Sequence, residues 1–155
     1  MQATLDQILG ADLSGADALI MAAAVADYRP AQASTEKLKR DGTPLSLELL
    51  PNPDILGSIG RRRTQSLPLL VGFALETATG DALISLGRRK LIDKRADLIV
   101  ANGTTESLGR DDSRVLLVSA QDCLKLDLLP KPRVAAHVVE WIAQRLLSPP
   151  GEQSE

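Results

Sequence analysis

The chain has 155 residues, a formal net charge of −2 and one cysteine, Cys123. That length suits one domain with its own core. A single cysteine excludes a disulfide framework, and a near-neutral charge without long one-sign blocks argues against a general polyanion binder.

Only Tyr28, Phe73 and Trp141 are aromatic. The expected core is therefore aliphatic, and modules that stack nucleic-acid bases on aromatic platforms are disfavoured. No apolar run reaches the roughly 20 residues of a membrane span. The opening MQATLDQILGADLSGAD lacks a basic start and a long apolar stretch, so it does not read as a signal peptide, and the cytoplasm is the expected compartment. Cys123 and His137, one of each, cannot supply a zinc cage. Cys123 reads as a small, partly buried apolar residue rather than a catalytic thiol.

Thr4 to Leu9 reads as a short helix with Thr4 as its cap. Ala16 to Ala24 is a continuous apolar run, which predicts a strand buried on both faces. Asp27 to Pro44 is polar and carries Arg29, Lys37, Lys39 and Arg40; it reads as a long loop or strap, a length that is usually functional or disordered. Leu45 to Leu50 alternates like a strand. Asn52-Pro53-Asp54 predicts a helix start, with Asn52 as cap and Pro53 in the first helical position. Leu69 to Leu75 is a second buried strand, and Gly72 within it marks close approach of a ligand or backbone.

A helix is expected from Glu76-Thr77 to Lys90 or beyond, then a strand over Asp97 to Ala101 ending at Asn102-Gly103. A polar loop follows from Gly103 to Ser113. Val115 to Val118 and Cys123 to Leu128 read as a strand pair. Lys131 to Leu147 is an amphipathic closing helix, with Val134, Val138, Trp141, Ile142 and Arg145 at helical spacing. Residues 148–155 read as a disordered tail after a single domain over 1–147. The clusters Arg61-Arg62-Arg63 and Arg88-Arg89-Lys90 read as solvated helix ends.

This alternation predicts an α/β fold: a Rossmann-like, mainly parallel sheet with helices on both faces, extended by a C-terminal antiparallel strand pair. Ligands of such sheets bind beyond the carboxyl ends of the strands. Ala22 to Asp27, Asn52 to Leu56, Phe73 to Thr77 and Asn102 all fall at that edge. No Gly-x-Gly-x-x-Gly turn, phosphate-binding P-loop or serine nucleophile elbow is present, so a dinucleotide-dependent oxidoreductase is disfavoured. Singly, each candidate has a plain reading. Asp27 caps a turn, Lys37 and Lys39 form a solvated loop face, Phe73 is core, and Lys90 and Lys94 share one helix face and complement its dipole.

Taken in order, the segments ending Ala-Val-Ala-Asp-Tyr at Tyr28, Lys37-Leu38-Lys39, Asn52 to Leu56, Val71 to Thr77, and Lys90 through Lys94 to Asn102 resemble the phosphopantothenate–cysteine ligase family. This is the synthetase part of the bifunctional bacterial coenzyme A biosynthesis flavoprotein. The resemblance runs from about residue 16 to the end of the closing helix. It implies a CTP-dependent ligase that joins 4′-phosphopantothenate to L-cysteine through an acyl-cytidylate, with Mg²⁺ on the phosphates. Flavin (FMN) is expected only on a fused or partner decarboxylase, and the resemblance suggests a homodimer. Carried over by motif, Met21, Ala22, Ala23, Asp27, Pro53, Asp54, Ile55, Leu56, Phe73, Lys90 and Lys94 would form the CTP site. Lys37 would be the functional strap lysine, and Asp27 is the candidate for orienting the metal.

Three departures stand out. The family's Gly-rich turn and Asn-x-Ser-Ser-Gly segment, whose Asn acts on the acyl-cytidylate, are not in these 155 residues, so the chain reads as the C-terminal portion of the family domain. Leu75 replaces an expected alanine. The loop Ser107-Leu108-Gly109-Arg110-Asp111-Asp112-Ser113 departs from the family's Gly-Phe-x-Ser-Asp-x-Asn pattern. As an enzyme, such a chain would act fully only with the missing half, supplied by a partner; the alternative expectation is a non-catalytic CTP-binding or assembly module that cannot form the amide alone.

Overall fold

A computed structural model describes residues 1–39, 42–104 and 109–147. Arg40, Ser107, Leu108 and the tail 148–155 lie outside them. In chain order the elements are α1 (Gln2–Leu9), β1 (Ala18–Met21), β2 (Tyr28–Pro30), β3 (Leu49–Pro51), α2 (Ile55–Arg62), β4 (Leu69–Glu76), α3 (Gly80–Lys94), β5 (Leu98–Gly103), β6 (Asp112–Val118), β7 (Cys123–Pro130) and α4 (Lys131–Leu147). The main sheet has the order β1-β4-β5-β6-β7. Strands β1, β4 and β5 run parallel, and β6 and β7 continue the sheet antiparallel. Strands β2 and β3 form a separate antiparallel ribbon.

The period of two along each strand sorts its side chains between two cores. Leu70, Ala74, Ile99, Ala101, Leu116 and Val118 pack with Leu9 of α1, Ile55 and Ile59 of α2, and Leu83 and Leu91 of α3. Their neighbours Leu69, Val71, Leu98, Val100, Val115 and Leu117 pack against Val134, Val138 and Ile142 of α4. Helices therefore cover both faces, as the alternating pattern predicts. On α4, Trp141 is half-buried and Arg145 lies over its ring, 4.6 Å from the centroid.

Several expectations need correction. The apolar run at residues 16–24 yields a strand of only four residues, half-buried and at the sheet edge, because one flank has no partner strand among the described residues. Of the alternating stretch 45–50, only the last two residues belong to a strand, in an exposed ribbon. The cap of α2 is Asp54, not Asn52, and Pro53 precedes the cap. The long helix begins at Gly80 rather than Glu76, since β4 runs through Glu76. Helix α1 begins at Gln2, with Met1 rather than Thr4 in the cap position. Gly72 does admit a close approach, but from protein: a Cβ there would crowd Leu56 Cδ2 at 2.7 Å and Ile99 Cδ1 at 3.0 Å. The arginine cluster is only partly solvated. Arg62 pairs with Asp6, and Arg63 pairs with Asp97 with little of either side chain exposed.

Candidate functional site

Beyond the C-terminal end of β1, against the middle of β4, lies an open cleft of about 230 Å³. Five stretches build it. The end of β1 and the following loop give Met21, Ala23, Val25, Ala26 and Asp27. The approach to α2 and its first turn give Asn52, Pro53, Asp54, Ile55 and Leu56. Strand β4 gives Gly72 and Phe73, α3 gives Lys90 and Lys94, and β5 gives Ile99. Drug-sized ligands occupy pockets of about 300–1,000 Å³, so a cleft of this size and openness has room for a further wall.

Local chemistry explains the positions. Asp54 is extended and accepts from the Gly57 amide at 3.0 Å, satisfying one orphan donor of α2. Its other carboxylate oxygen holds Lys94 Nζ at 2.8 Å. Burial pushes the Asp54 carboxyl up, but Lys94, the Gly57 amide and the Arg61 charge outweigh it and hold the group below the usual carboxylate range. One helical turn before Lys94, Lys90 reaches back to Glu76 at the end of β4, 2.7 Å away. The two lysines thus share a face, as their spacing predicts, and each has an acidic partner. The charged groups on the cleft wall are Asp27, Asp54, Lys90 and Lys94, which balance.

The loop lining is tied down by Asn52. Its backbone N–H donates to the Asp27 carbonyl at 2.7 Å, and its Nδ2 donates to the Ala26 carbonyl at 2.8 Å. Arg29 Nη1 donates to Asn52 Oδ1 at 3.1 Å and to the Pro51 carbonyl at 2.9 Å. The strap leaves from this point as the β2–β3 ribbon, whose next rung is the Ala31 amide on the Glu48 carbonyl at 2.9 Å.

Ten of the residues expected at the site line this cleft: Met21, Ala23, Asp27, Pro53, Asp54, Ile55, Leu56, Phe73, Lys90 and Lys94. Two do not. Ala22 points to the other sheet face, where a second, apolar cavity of about 370 Å³ also contains Ile20, Phe73, Val100, Asn102 and Val138. Lys37 is exposed on the strap and is not part of the cleft wall. Phe73 is 44% exposed, against the plain expectation of a core residue, and stands between the two cavities. Asn102, expected at the same edge, falls on the far side. Val25, Ala26 and Asn52 lie within stretches expected at this edge but are not among the residues the motifs single out, and Ile99 is not expected there at all. Small apolar residues carry no chemical signal, and the role of Asn52 depends on a loop 26 positions away.

Among the described residues no group of three or more His, Cys, Asp and Glu side chains could cage a metal. Mg²⁺ usually keeps several waters and takes one or two carboxylates plus substrate phosphates. Asp27 in the cleft wall fits that mode and no fuller one. Cys123 lies outside the cleft, and burial raises its thiol against the pull of Lys125 and Arg88, so it is not poised as a thiolate. No helix among the described residues is long and apolar enough to cross a membrane.

The family model for the DNA/pantothenate metabolism flavoprotein C-terminal domain matches residues 2–146. The chain belongs to this family. The coenzyme A biosynthesis bifunctional protein CoaBC of Haemophilus influenzae is 35% identical over 125 residues, covering 79% of this chain and 30% of that protein. The CoaBC protein of Mycobacterium bovis is 46% identical over 99 residues, covering 59% of this chain and 23% of that protein. The chain therefore spans less than a third of these relatives. Among solved structures, the C-terminal domain of a CoaBC protein aligns with a TM-score of 0.69 at 29% identity, covering 94% of this chain and 60% of that one. A Cab2 variant solved in complex with phosphopantothenate-cysteine aligns with a TM-score of 0.51 at 25% identity, covering 80% and 44%.

Proposed function

We propose that this chain carries the nucleotide-binding part of a CTP-dependent phosphopantothenate–cysteine ligase, an enzyme of coenzyme A biosynthesis. One observation carries the reading: four segments remote in sequence, each bearing expected nucleotide-site residues, converge on one cleft beyond the C-terminal end of β1. Family membership and the relatives named above support it.

The chemistry follows from the substrates. A carboxylate oxygen of 4′-phosphopantothenate bonds to the α-phosphorus of CTP as the bond to the bridging oxygen breaks and pyrophosphate leaves. The cysteine amine then attacks the acyl carbon, loses a proton, and displaces CMP, leaving an amide. Both reactants of the first step are anions, so the site must supply positive charge where negative charge develops. The balanced cleft does not supply it alone. Lys90 and Lys94 can exchange their carboxylate partners for phosphate oxygens, and the exposed strap lysines Lys37 and Lys39 can close over the cleft and exclude water from the reactive anhydride. Mg²⁺ bound to the phosphates would add Lewis-acid stabilisation.

Calorimetry with CTP, ATP and NADH tests the binding claim: CTP alone should bind below millimolar concentration, and absence of CTP binding rejects the reading. A pyrophosphate-release assay with phosphopantothenate and cysteine tests the chemistry. The alternative, that these 155 residues bind CTP without forming the amide, is favoured by the absence of an Asn-x-Ser-Ser-Gly segment from them. CTP binding without pyrophosphate release would select it. Where turnover is measurable, or restored by a partner that supplies the remaining half, Lys37→Ala should cut kcat by about 10²-fold, with its thermal midpoint unchanged, because an exposed strap side chain acts only in the closed state. An unchanged rate rejects the strap role.

A further inference from the structure

We infer that Asn52 is a positioning residue that couples the strap to the cleft, so that the strap cannot change position without moving the cleft wall. The functional half of this inference rests on the CTP reading above; the mechanical half does not.

Pro53 holds Asn52 out of the helical region, and Asp54 already caps α2, so the Asn52 side chain is free to serve elsewhere. It turns to the opposite strand of the loop. Its donor end is satisfied by the Ala26 carbonyl and its acceptor end by Arg29, while its backbone N–H holds the Asp27 carbonyl. Ala26, Asp27 and Asn52 all line the cleft. Arg29 belongs to β2, the first strand of the ribbon, and also grips the Pro51 carbonyl at the end of β3. Residues 26–29 and 51–52 therefore form one hydrogen-bonded clasp, and both ends of the strap leave from it. A tilt of the ribbon is transmitted through the Asn52 carboxamide to the Ala26 and Asp27 carbonyls.

Both ends of that carboxamide are needed. Aspartate at position 52 keeps the acceptor for Arg29 but sets an oxygen against the Ala26 carbonyl. Alanine loses both bonds. These bonds lie at the surface, so their loss should loosen the clasp locally and leave global unfolding nearly untouched.

The test uses the full chain carrying Asn52→Ala, Asn52→Asp or Arg29→Gln. Without nucleotide, amide hydrogen exchange in peptides spanning 28–32 and 47–51 should quicken about tenfold in Asn52→Ala, the scale of one or two lost surface hydrogen bonds. The thermal midpoint should fall by no more than about 3 °C. CTP affinity should weaken about tenfold in Asn52→Ala and Asn52→Asp, and less in Arg29→Gln, which leaves the bond to Ala26 intact. Wild-type exchange in the ribbon overturns the clasp. Faster exchange with unchanged CTP affinity overturns the coupling. If the unmutated chain binds no CTP, the ligase reading fails, and the exchange data still decide the clasp. Should Asn52→Ala not fold, Asn52→Asp and Arg29→Gln make the same comparison.

Discussion

Asp54 does two jobs with one carboxylate: one oxygen caps α2 and the other holds Lys94 at the cleft. The roles separate by substitution. Asparagine is also a good cap, so Asp54→Asn keeps the helix start and removes only the charge. Asp54→Ala removes both, and should cost about 1 kcal/mol, or roughly 3 °C in thermal midpoint. The charge has a pH signature. The folded carboxyl titrates below its unfolded value, so its stabilisation is complete above the unfolded pKa of about 3.9 and is lost as pH falls through the folded value. Thermal midpoints of the wild-type chain and Asp54→Asn should differ most near neutrality and converge in acid. A constant difference down to low pH would mean that the Asp54 charge contributes nothing. The sequence identified Asp54 as a site residue, yet assigned the cap to Asn52, two positions earlier. Choosing between Asn52 and Asp54 requires knowing where the chain first turns helical, and Asn52 is taken by contacts that no local pattern encodes.

The elements were legible where their burial is intrinsic. Strands β4 and β5 and helix α4 follow from apolar pattern alone, because both faces of the central strands and one stripe of the helix are covered. Strand β1 was misjudged for the opposite reason: an apolar run states what can be buried, not whether a neighbour is there to bury it. Ile20 is 44% exposed despite its strand propensity. Two glycines show how element packing shapes the cleft. A Cβ on Gly60 would overlap the backbone carbonyl of Lys94, where α2 crosses the end of α3. Backbone cannot yield cheaply, so Gly60→Ala should destabilise by about 3 kcal/mol in urea unfolding. A Cβ on Gly72 meets only the ends of Leu56 and Ile99. Gly72→Ala should cost about 1 kcal/mol, but it pushes Leu56 in the cleft wall and should weaken CTP binding as well. If the two variants show equal stability, the packing at the α2–α3 crossing is looser than described.

Across the whole molecule, stability and the candidate site occupy opposite ends of α2, and they meet on α3, where Lys94 lines the cleft and the next residue, Arg95, joins the stabilising contacts. The cleft sits at the start of α2, beyond the end of β1 and against the middle of β4. At the other end, Arg63 follows the last turn of α2, where its guanidinium donates to the carbonyls of Pro68 and Arg95 and to the Asp97 carboxylate. Asp97 in turn accepts from the Leu70 amide at 2.6 Å. Arg95 takes the left-handed conformation that ends α3, with φ of 49°, and its carbonyl is the one that Arg63 binds. One side chain thus joins the end of α2, the entry to β4 and the turn between α3 and β5. Only 12% of the Arg63 side chain and 24% of that of Asp97 are exposed, so screening by water is limited. Arg63→Ala leaves the Asp97 charge without its main partner and should cost about 3 kcal/mol in urea unfolding. Adding Asp97→Asn removes the stranded charge, so the double variant should lose less than the sum of the single losses. Well below its midpoint, Arg63→Ala should bind CTP within about twofold of wild type, because the clamp touches no cleft residue. Loss of CTP binding without loss of stability would place Arg63 in the functional machinery and overturn this division between the two ends.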